Sequence, residues 1–172
     1  ETMTFQGFQE GQNAEVILSH QMVWSFHEDS EGTLWLGTGG DGLISWDLAS
    51  RQNLVGRFEN YSENISLPSS FIYGIKSDNQ GNLWLSHNRG VSRLNPLALE
   101  VHHFNETNGL QDNEFNLGAA FKDKDGAIYF GGNRGYNIIK AEFVTKSDAP
   151  PQVSIDEIRV MNQRREFDVP YH

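Results

Sequence analysis

Short apolar runs alternate with glycine-containing turns along this chain, and one such arrangement occurs three times. The apolar runs are Leu34-Trp35-Leu36, Leu83-Trp84-Leu85 and Ile128-Tyr129-Phe130. Each run follows a turn of the form Asp-x-x-Gly, and these turns begin at Asp29, Asp78 and Asp123. Because aspartate accepts backbone N–H bonds and glycine readily adopts positive φ, this pairing is typical of a tight turn between two strands.

The spacing of this repeat predicts the architecture of the chain. The turn glycines Gly32, Gly81 and Gly126 recur with a period of roughly 40–50 residues, which is typical of propeller blades. A second glycine turn follows in each copy, at Gly42, Gly90 and Gly135, and leads into a third apolar run. With a fourth run per copy, we predict an all-β chain of about three four-stranded β-propeller blades.

The same pattern divides the chain into segments. They are a remnant of a preceding blade at 1–20, propeller blades at 21–147 (about 21–66, 67–110 and 111–147), and a linker with new strands at 148–172. The linker is indicated by Pro150-Pro151, since paired prolines favour an extended backbone. No helix is predicted, apart from one short turn at residues 96–100. Propellers close with ~4–8 blades, so three blades form an incomplete ring, and we expect the chain to be part of a larger protein.

The repeat, and the segment after it, resemble a known family. The consensus D-x-x-G-x-L-W-L-G-T resembles the two-component regulator propeller repeat over roughly residues 21–140. Asn113-Glu114-Phe115-Asn116 and the run from Asp125 to Asn137 look like the last blade of such arrays. In the family, a proline pair and an immunoglobulin-like β-sandwich follow, the three-tyrosine (Y_Y_Y) domain. The resemblance therefore implies that residues 148–172 hold a linker and the truncated start of this β-sandwich.

The resemblance also implies a function. These repeats occur in periplasmic sensor regions of bacterial signalling proteins, typically hybrid histidine kinases and some diguanylate cyclases. We therefore expect a non-catalytic, periplasmic sensory or ligand-binding segment of a transmembrane two-component sensor or similar protein. The expected partners are a carbohydrate or other small-molecule ligand, the remaining blades of the parent propeller and a second copy of the parent. Two alternatives stay open, a propeller enzyme (lyase or glycosidase) and a protein-interaction scaffold.

Composition and charge exclude several classes of protein. The chain has 23 Asp and Glu residues against 13 Lys and Arg, which gives a formal net charge of −10. Because an acidic surface repels phosphate groups, we expect no nucleic-acid binding and no membrane contact by this segment. The sequence contains no cysteine, which removes disulfides, thiolate metal sites and a cysteine nucleophile. We expect no cofactor.

The candidate ligand-binding residues lie where the copies differ, because packing repeats from blade to blade while a binding site does not. They are His87, Asn88 and Arg89 in the second copy, and Asn133 and Arg134 in the third. Their turns are expected near the mouth of the propeller channel, where loops bind ligands. Asn-Arg-Gly is also a good turn sequence, so a structural role is the competing interpretation. No catalytic or metal-binding residue is predicted, since neighbours such as His102 and His103 point to opposite faces of a strand.

Overall fold

The repeats fold as separate antiparallel sheets in the computed structural model, which describes residues 22–53, 58–63, 65–140, 158–160 and 163–165. In the first two copies the sheet has four strands in chain order. Blade 1 consists of β1 (Val23–Glu28), β2 (Leu34–Thr38), β3 (Leu43–Trp46) and β4 (Phe58–Asn60). Blade 2 consists of β5 (Ile72–Ser77), β6 (Leu83–His87), β7 (Gly90–Asn95) and β8 (Glu100–Phe104).

The third copy forms blade 3, of which three strands lie among the described residues. They are β9 (Phe115–Lys122), β10 (Ile128–Gly132) and β11 (Gly135–Ile139). Further along, β12 (Ile158–Val160) and β13 (Gln163–Arg165) form a two-stranded antiparallel sheet. These sheets confirm the predicted all-β architecture of propeller blades. The expected blade remnant at 1–20, the end of blade 3 at 141–147 and the linker around Pro150-Pro151 lie outside the described residues.

Helical residues occur where the sequence pattern predicted none. Helix α1 (Leu48–Gln52) lies between β3 and β4, and it begins after Asp47, whose Oδ1 accepts a hydrogen bond from the backbone N–H of Ser50 at 2.9 Å. Its five residues are too few to show a helical period in the sequence. Residues 96–99 form a turn, and Leu99 has a φ of 55°, which a helix cannot continue through. Two 3₁₀ turns, Tyr61–Glu63 and Glu106–Asn108, precede blades 2 and 3.

The tryptophans of the repeat are buried between the blades. Trp35 of β2 lies in an apolar cluster with residues of blade 2, and Trp84 of β6 lies in a second cluster with residues of blade 3. On β6, Leu83 and Leu85 point the other way and pack in the first cluster, as strand alternation requires. Truncating a buried tryptophan to alanine typically costs about 3–5 kcal/mol, so these clusters hold neighbouring blades together. Tyr129, at the same position in blade 3, is half-buried.

The Asp-x-x-Gly turns orient these aromatic side chains. In blade 2, Oδ1 of Asp78 accepts hydrogen bonds from the backbone N–H groups of Gln80 at 2.8 Å and Asn82 at 3.0 Å. Its Oδ2 accepts a third bond, from Nε1 of Trp84 at 3.0 Å. Because one carboxylate caps the turn and fixes the ring, the turn has a structural role. The equivalent bonds join Asp29 to Trp35 at 2.7 Å and Asp123 to Tyr129 at 2.9 Å.

Candidate functional site at the channel mouth

One end of the three blades brings the predicted ligand-binding turns together. The first strands β1, β5 and β9 lie beside one another from blade to blade, which makes them the inner strands of the array. Antiparallel pairing places the start of each inner strand next to the turn between the second and third strands. We call this end the channel mouth. It contains the turns 39–42, 88–89 and 133–134, residues 65–71 before β5 and residues 105–114 before β9.

Each of these turns is held by a different side chain. In blade 1, Oγ1 of Thr38 accepts a hydrogen bond from a backbone N–H of the turn at 3.0 Å. In blade 2, Nδ1 of His87 does the same at 3.1 Å. Blade 3 has Gly132 at this position, and Oε1 of Gln111 reaches in from the preceding connection to accept the bond at 2.6 Å. The turn is therefore preserved while the side chain that supports it changes.

His87 is a buried histidine, held neutral by its surroundings. Its Nε2 is 2.9 Å from Oγ of Ser92, and its ring stacks on His103 with the centroids 5.5 Å apart. Burial lowers the pKa of His87 to about 3, and the nearby charges of His103 and Arg89 act in the same direction. Because the side chain is not exposed, it offers no surface to a ligand and acts instead as a support of turn 88–89.

Asn88 and Arg89 differ in what they present at the mouth. Oδ1 of Asn88 accepts a hydrogen bond from the hydroxyl of Ser69 at 2.7 Å, which ties turn 88–89 to the connection before β5. Arg89 is exposed, and no ion pair of its guanidinium is found in the described part of the chain. Arg89 is thus the cation of this turn that a ligand can reach.

Asn133 and Arg134 form the exposed turn of blade 3. Nε of Arg134 lies 3.9 Å from Oδ2 of Asp112, so part of its charge is offset. The backbone N–H of Glu114 donates to Asp112, and this bond is the main reason that the pKa of Asp112 is lowered. The structure therefore brings four of the five predicted residues to accessible positions at one end of neighbouring blades, and it adds a charged carboxylate beside them.

Aromatic residues outside the predicted set complete the channel mouth. The inner strands contain β-bulges here, and the extra residue is Trp24 in β1 and Tyr73 in β5. Their ring centroids are 5.6 Å apart across the blade boundary, and the ring of Phe71 lies 5.8 Å from that of Trp24. Bulges redirect side chains and are common beside active sites. A signal was present in the sequence, because each bulged aromatic precedes a small residue, Ser25 or Gly74.

Glu114 connects this aromatic cluster to blade 3. The hydroxyl of Tyr73 donates a hydrogen bond to Oε1 of Glu114 at 3.1 Å. Burial is the main cause that raises the pKa of Tyr73, and the bond to Glu114 adds to it. In blade 3 the pairing is interrupted over a longer stretch, since residues 116–119 lie between the paired Phe115 and Ala120, and Gly118 has a φ of 75°. The three inner strands therefore present different side chains at equivalent positions.

Other parts of the molecule show fewer features of a binding site. Within the described ranges, no group of three or more His, Cys, Asp or Glu residues is placed to hold a metal ion. A cavity of about 640 Å³ lies between blades 2 and 3, where its wall includes Phe104, Leu110 and Ile138. It contains none of the predicted site residues. No helix among the described residues has the length and apolar character needed to cross a membrane.

Comparison with known proteins identifies the repeat. Residues 17–40 and 66–89 match the family model described as two component regulator propeller. The matched segments include β1–β2 and β5–β6, with Trp35 and Trp84, so the resemblance seen in the sequence is confirmed for the repeats. The β-sandwich expected at 148–172 stays a prediction.

Solved structures with a similar fold include extracellular domains of bacterial signalling systems. The chain is similar to the extracellular domain of BT3049 from B. thetaiotaomicron, assigned to a hybrid two component system, with 25% identity and a TM-score of 0.68. It is also similar to the extracellular domain of BT4673 from the same organism, assigned to a one component system, with 28% identity and a TM-score of 0.59. Among curated proteins, histidine kinase P4 of Formosa agariphila is 27% identical over 92 residues.

The chain matches only part of each relative. The similarity covers 86% of this chain and 20% of the BT3049 domain, and 70% of this chain and 17% of the BT4673 domain. For histidine kinase P4 it covers 54% of this chain and 7% of the relative. The similarity to the extracellular domain of BT3049, assigned to a hybrid two component system, and to histidine kinase P4 supports a sensory segment. Any signalling output of the relatives is a property of proteins several times the length matched here.

Proposed function

We propose that this chain is a periplasmic, non-catalytic sensory segment of a bacterial two-component sensor or similar transmembrane signalling protein. The observation that carries the proposal is the pair of regulator-propeller matches in a chain whose fold is similar to extracellular domains assigned to such systems. The distribution of polar side chains agrees with it, because the repeated aspartates are engaged in turns while the accessible differences between blades gather at the channel mouth.

The ligand-binding part of the proposal places a carbohydrate or other small molecule at the channel mouth. Asn88, Arg89, Asn133 and Arg134 supply hydrogen-bond donors from two neighbouring blades. Two connecting segments, residues 65–71 and 105–114, pack beside these turns through Ser69 and Gln111. A ligand bridging the turns would contact both blades, and it would thereby favour one relative position of the blades over others.

A row of aromatic side chains on blade 3 indicates that this blade has a packing partner. Phe121, Tyr129 and Tyr136 form a row across its three strands, with adjacent ring centroids 5.9 and 6.4 Å apart. Phe121 is 62% exposed and Tyr136 is 65% exposed. The position of Tyr129 in blade 2 is occupied by Trp84, which is buried in the cluster with blade 3. We propose that this row packs against a further blade of the parent propeller.

The test of the sensory function uses the parent signalling protein. We expect Arg89→Ala combined with Arg134→Ala to reduce the response of a reporter promoter to an inducing oligosaccharide mixture, with basal output unchanged. Lys124→Ala is the matched control, since Lys124 is also exposed but lies in the turn at the opposite end of blade 3. A full response by the double variant would contradict the binding part of the proposal. Turnover of an oligosaccharide by the purified chain would instead support the enzyme alternative.

A further inference from the structure

We infer that the channel mouth binds a neutral sugar ring through Trp24, Tyr73 and Glu114. This inference rests on the proposed sensory function and adds to it the contact residues and the charge of the ligand. The bulge of the inner strand contains Trp24 in blade 1 and Tyr73 in blade 2, while residues 116–119 interrupt the pairing in blade 3. Packing that repeats from blade to blade does not require different residues at this position of the inner strands.

The aromatic rings at the bulges supply the apolar part of the site. Trp24 and Tyr73 are half-buried, and Phe71, which lies against Trp24, is 39% exposed. Gly39 packs directly against the Trp24 ring, so the ring is held from one side by the backbone of the neighbouring turn. A pyranose ring presents a face of C–H groups, which packs on an aromatic face while its hydroxyls stay at the rim.

Glu114 supplies a polar partner at the edge of these rings. Its Oε1 accepts the hydrogen bond from Tyr73 at 3.1 Å, and no hydrogen bond to its Oε2 is made by any described residue. That oxygen is therefore available to accept a bond from a sugar hydroxyl. A carboxylate that is already oriented by one bond loses less freedom when it makes a second.

The carboxylates beside the aromatic rings disfavour an acidic sugar at that position. Asp112 stands next to Glu114, its pKa is lowered by backbone hydrogen bonds, and it is therefore charged at neutral pH. A uronate or sulfated ring placed on Trp24 and Tyr73 would bring a third negative charge close to these two. Arg134 is already within 3.9 Å of Asp112, which leaves Arg89 as the accessible cation that an acidic ligand would need.

The experiment measures binding by isothermal titration calorimetry with the 172-residue chain. The probes are cellohexaose, xylohexaose and maltohexaose as neutral oligosaccharides, and hexagalacturonate as an acidic one. We expect at least one neutral probe to bind, and Trp24→Ala or Tyr73→Ala to weaken that binding by about tenfold or more. Tyr73→Phe keeps the ring and removes the hydroxyl, so it is used in the binding measurement if an alanine variant does not fold. Phe121→Ala is the matched control, an exposed aromatic residue that lies outside the channel mouth.

Three results would overturn the inference. One is that no neutral probe binds the folded chain. Another is equal affinity of the wild type and the Trp24 and Tyr73 variants. The third is binding of hexagalacturonate alone with dependence on Arg89, which would assign an acidic ligand instead. These outcomes can be distinguished from the result of the reporter test in the parent protein. A sensor for another ligand would still lose its reporter response when the channel mouth is altered.

Discussion

Oδ2 of Asp78 lies 3.0 Å from Nε1 of Trp84, and this bond joins the turn of blade 2 to the ring that packs against blade 3. The same carboxylate caps its own turn through Oδ1. One residue thus links local turn formation to the packing of neighbouring blades. The equivalent pair in blade 3, Asp123 and Tyr129, has the same geometry on a face with greater exposure.

This difference predicts unequal effects of the same substitution. Asp78→Ala would leave the Trp84 N–H and two turn N–H groups without their acceptor in a buried site, and we expect a loss of about 2–4 kcal/mol in the free energy of unfolding. Asp123→Ala should cost clearly less, because water can replace the carboxylate there. Urea denaturation followed by tryptophan fluorescence measures both. Equal losses of unfolding free energy in the two variants would show that burial of the aspartate does not determine the cost of removing it.

Two glycines with the same backbone conformation form a second matched pair. Gly90 and Gly135 both have a φ of 121°, so alanine is strained at either position. At Gly90 the added Cβ would also meet the backbone carbonyl oxygen of Phe104, whereas nothing lies near it at Gly135. We expect Gly135→Ala to cost about 1 kcal/mol and Gly90→Ala about 3 kcal/mol. Thermal and urea unfolding of the two variants checks this, and a larger loss at Gly135 would contradict the strand packing of blade 2.

The buried His87 predicts a dependence of stability on pH. Its pKa is about 3 in the folded state against 6.5 when unfolded, so the unfolded state binds more protons between these values. Stability from this group is therefore complete above pH 6.5 and is lost as the pH falls towards 3, by at most about 1.4 kcal/mol per pH unit. His87→Gln should flatten the profile between pH 7 and pH 4 in denaturant titrations.

A second histidine provides the comparison for that experiment. Burial also lowers the pKa of His27, with Lys76 acting in the same direction and Asp29 opposing it. His27→Gln should therefore flatten the profile less than His87→Gln does. An unchanged slope in the His87 variant would mean that other groups dominate the acid response.

The aromatic row of blade 3 predicts a change in association without a change in stability. Phe121→Ser and Tyr136→Ser alter side chains that are mostly exposed, so we expect the free energy of unfolding to change by less than about 1 kcal/mol. We expect the exposed aromatic row to cause concentration-dependent self-association of the chain, and we expect both substitutions to reduce it. Sedimentation velocity over a range of concentrations measures this. As a control, Lys124→Ser changes an exposed residue outside the row and should leave association unaltered.

The site was predicted from the sequence only in part. Arg89, Asn133 and Arg134 differ from the corresponding turn of the first copy, and they are exposed at the channel mouth. His87 also differs between the copies, but its side chain is buried beneath the turn, because strand β6 directs it towards Ser92 and His103. A departure from a repeat marks a changed environment, and the sequence does not show whether that environment is solvent or core.

The repeat, the blade architecture and the role of the Asp-x-x-Gly turns follow from the amino-acid sequence alone, because these depend on contacts between residues close together in the chain. Trp84 is fixed by Asp78 six positions away, which is within the reach of a local pattern. The composition of the channel mouth, in contrast, is a property of the folded molecule. Trp24, Tyr73 and Glu114 meet there across blade boundaries through bulges and strand register, and these are set by the packing of whole sheets rather than by neighbouring residues.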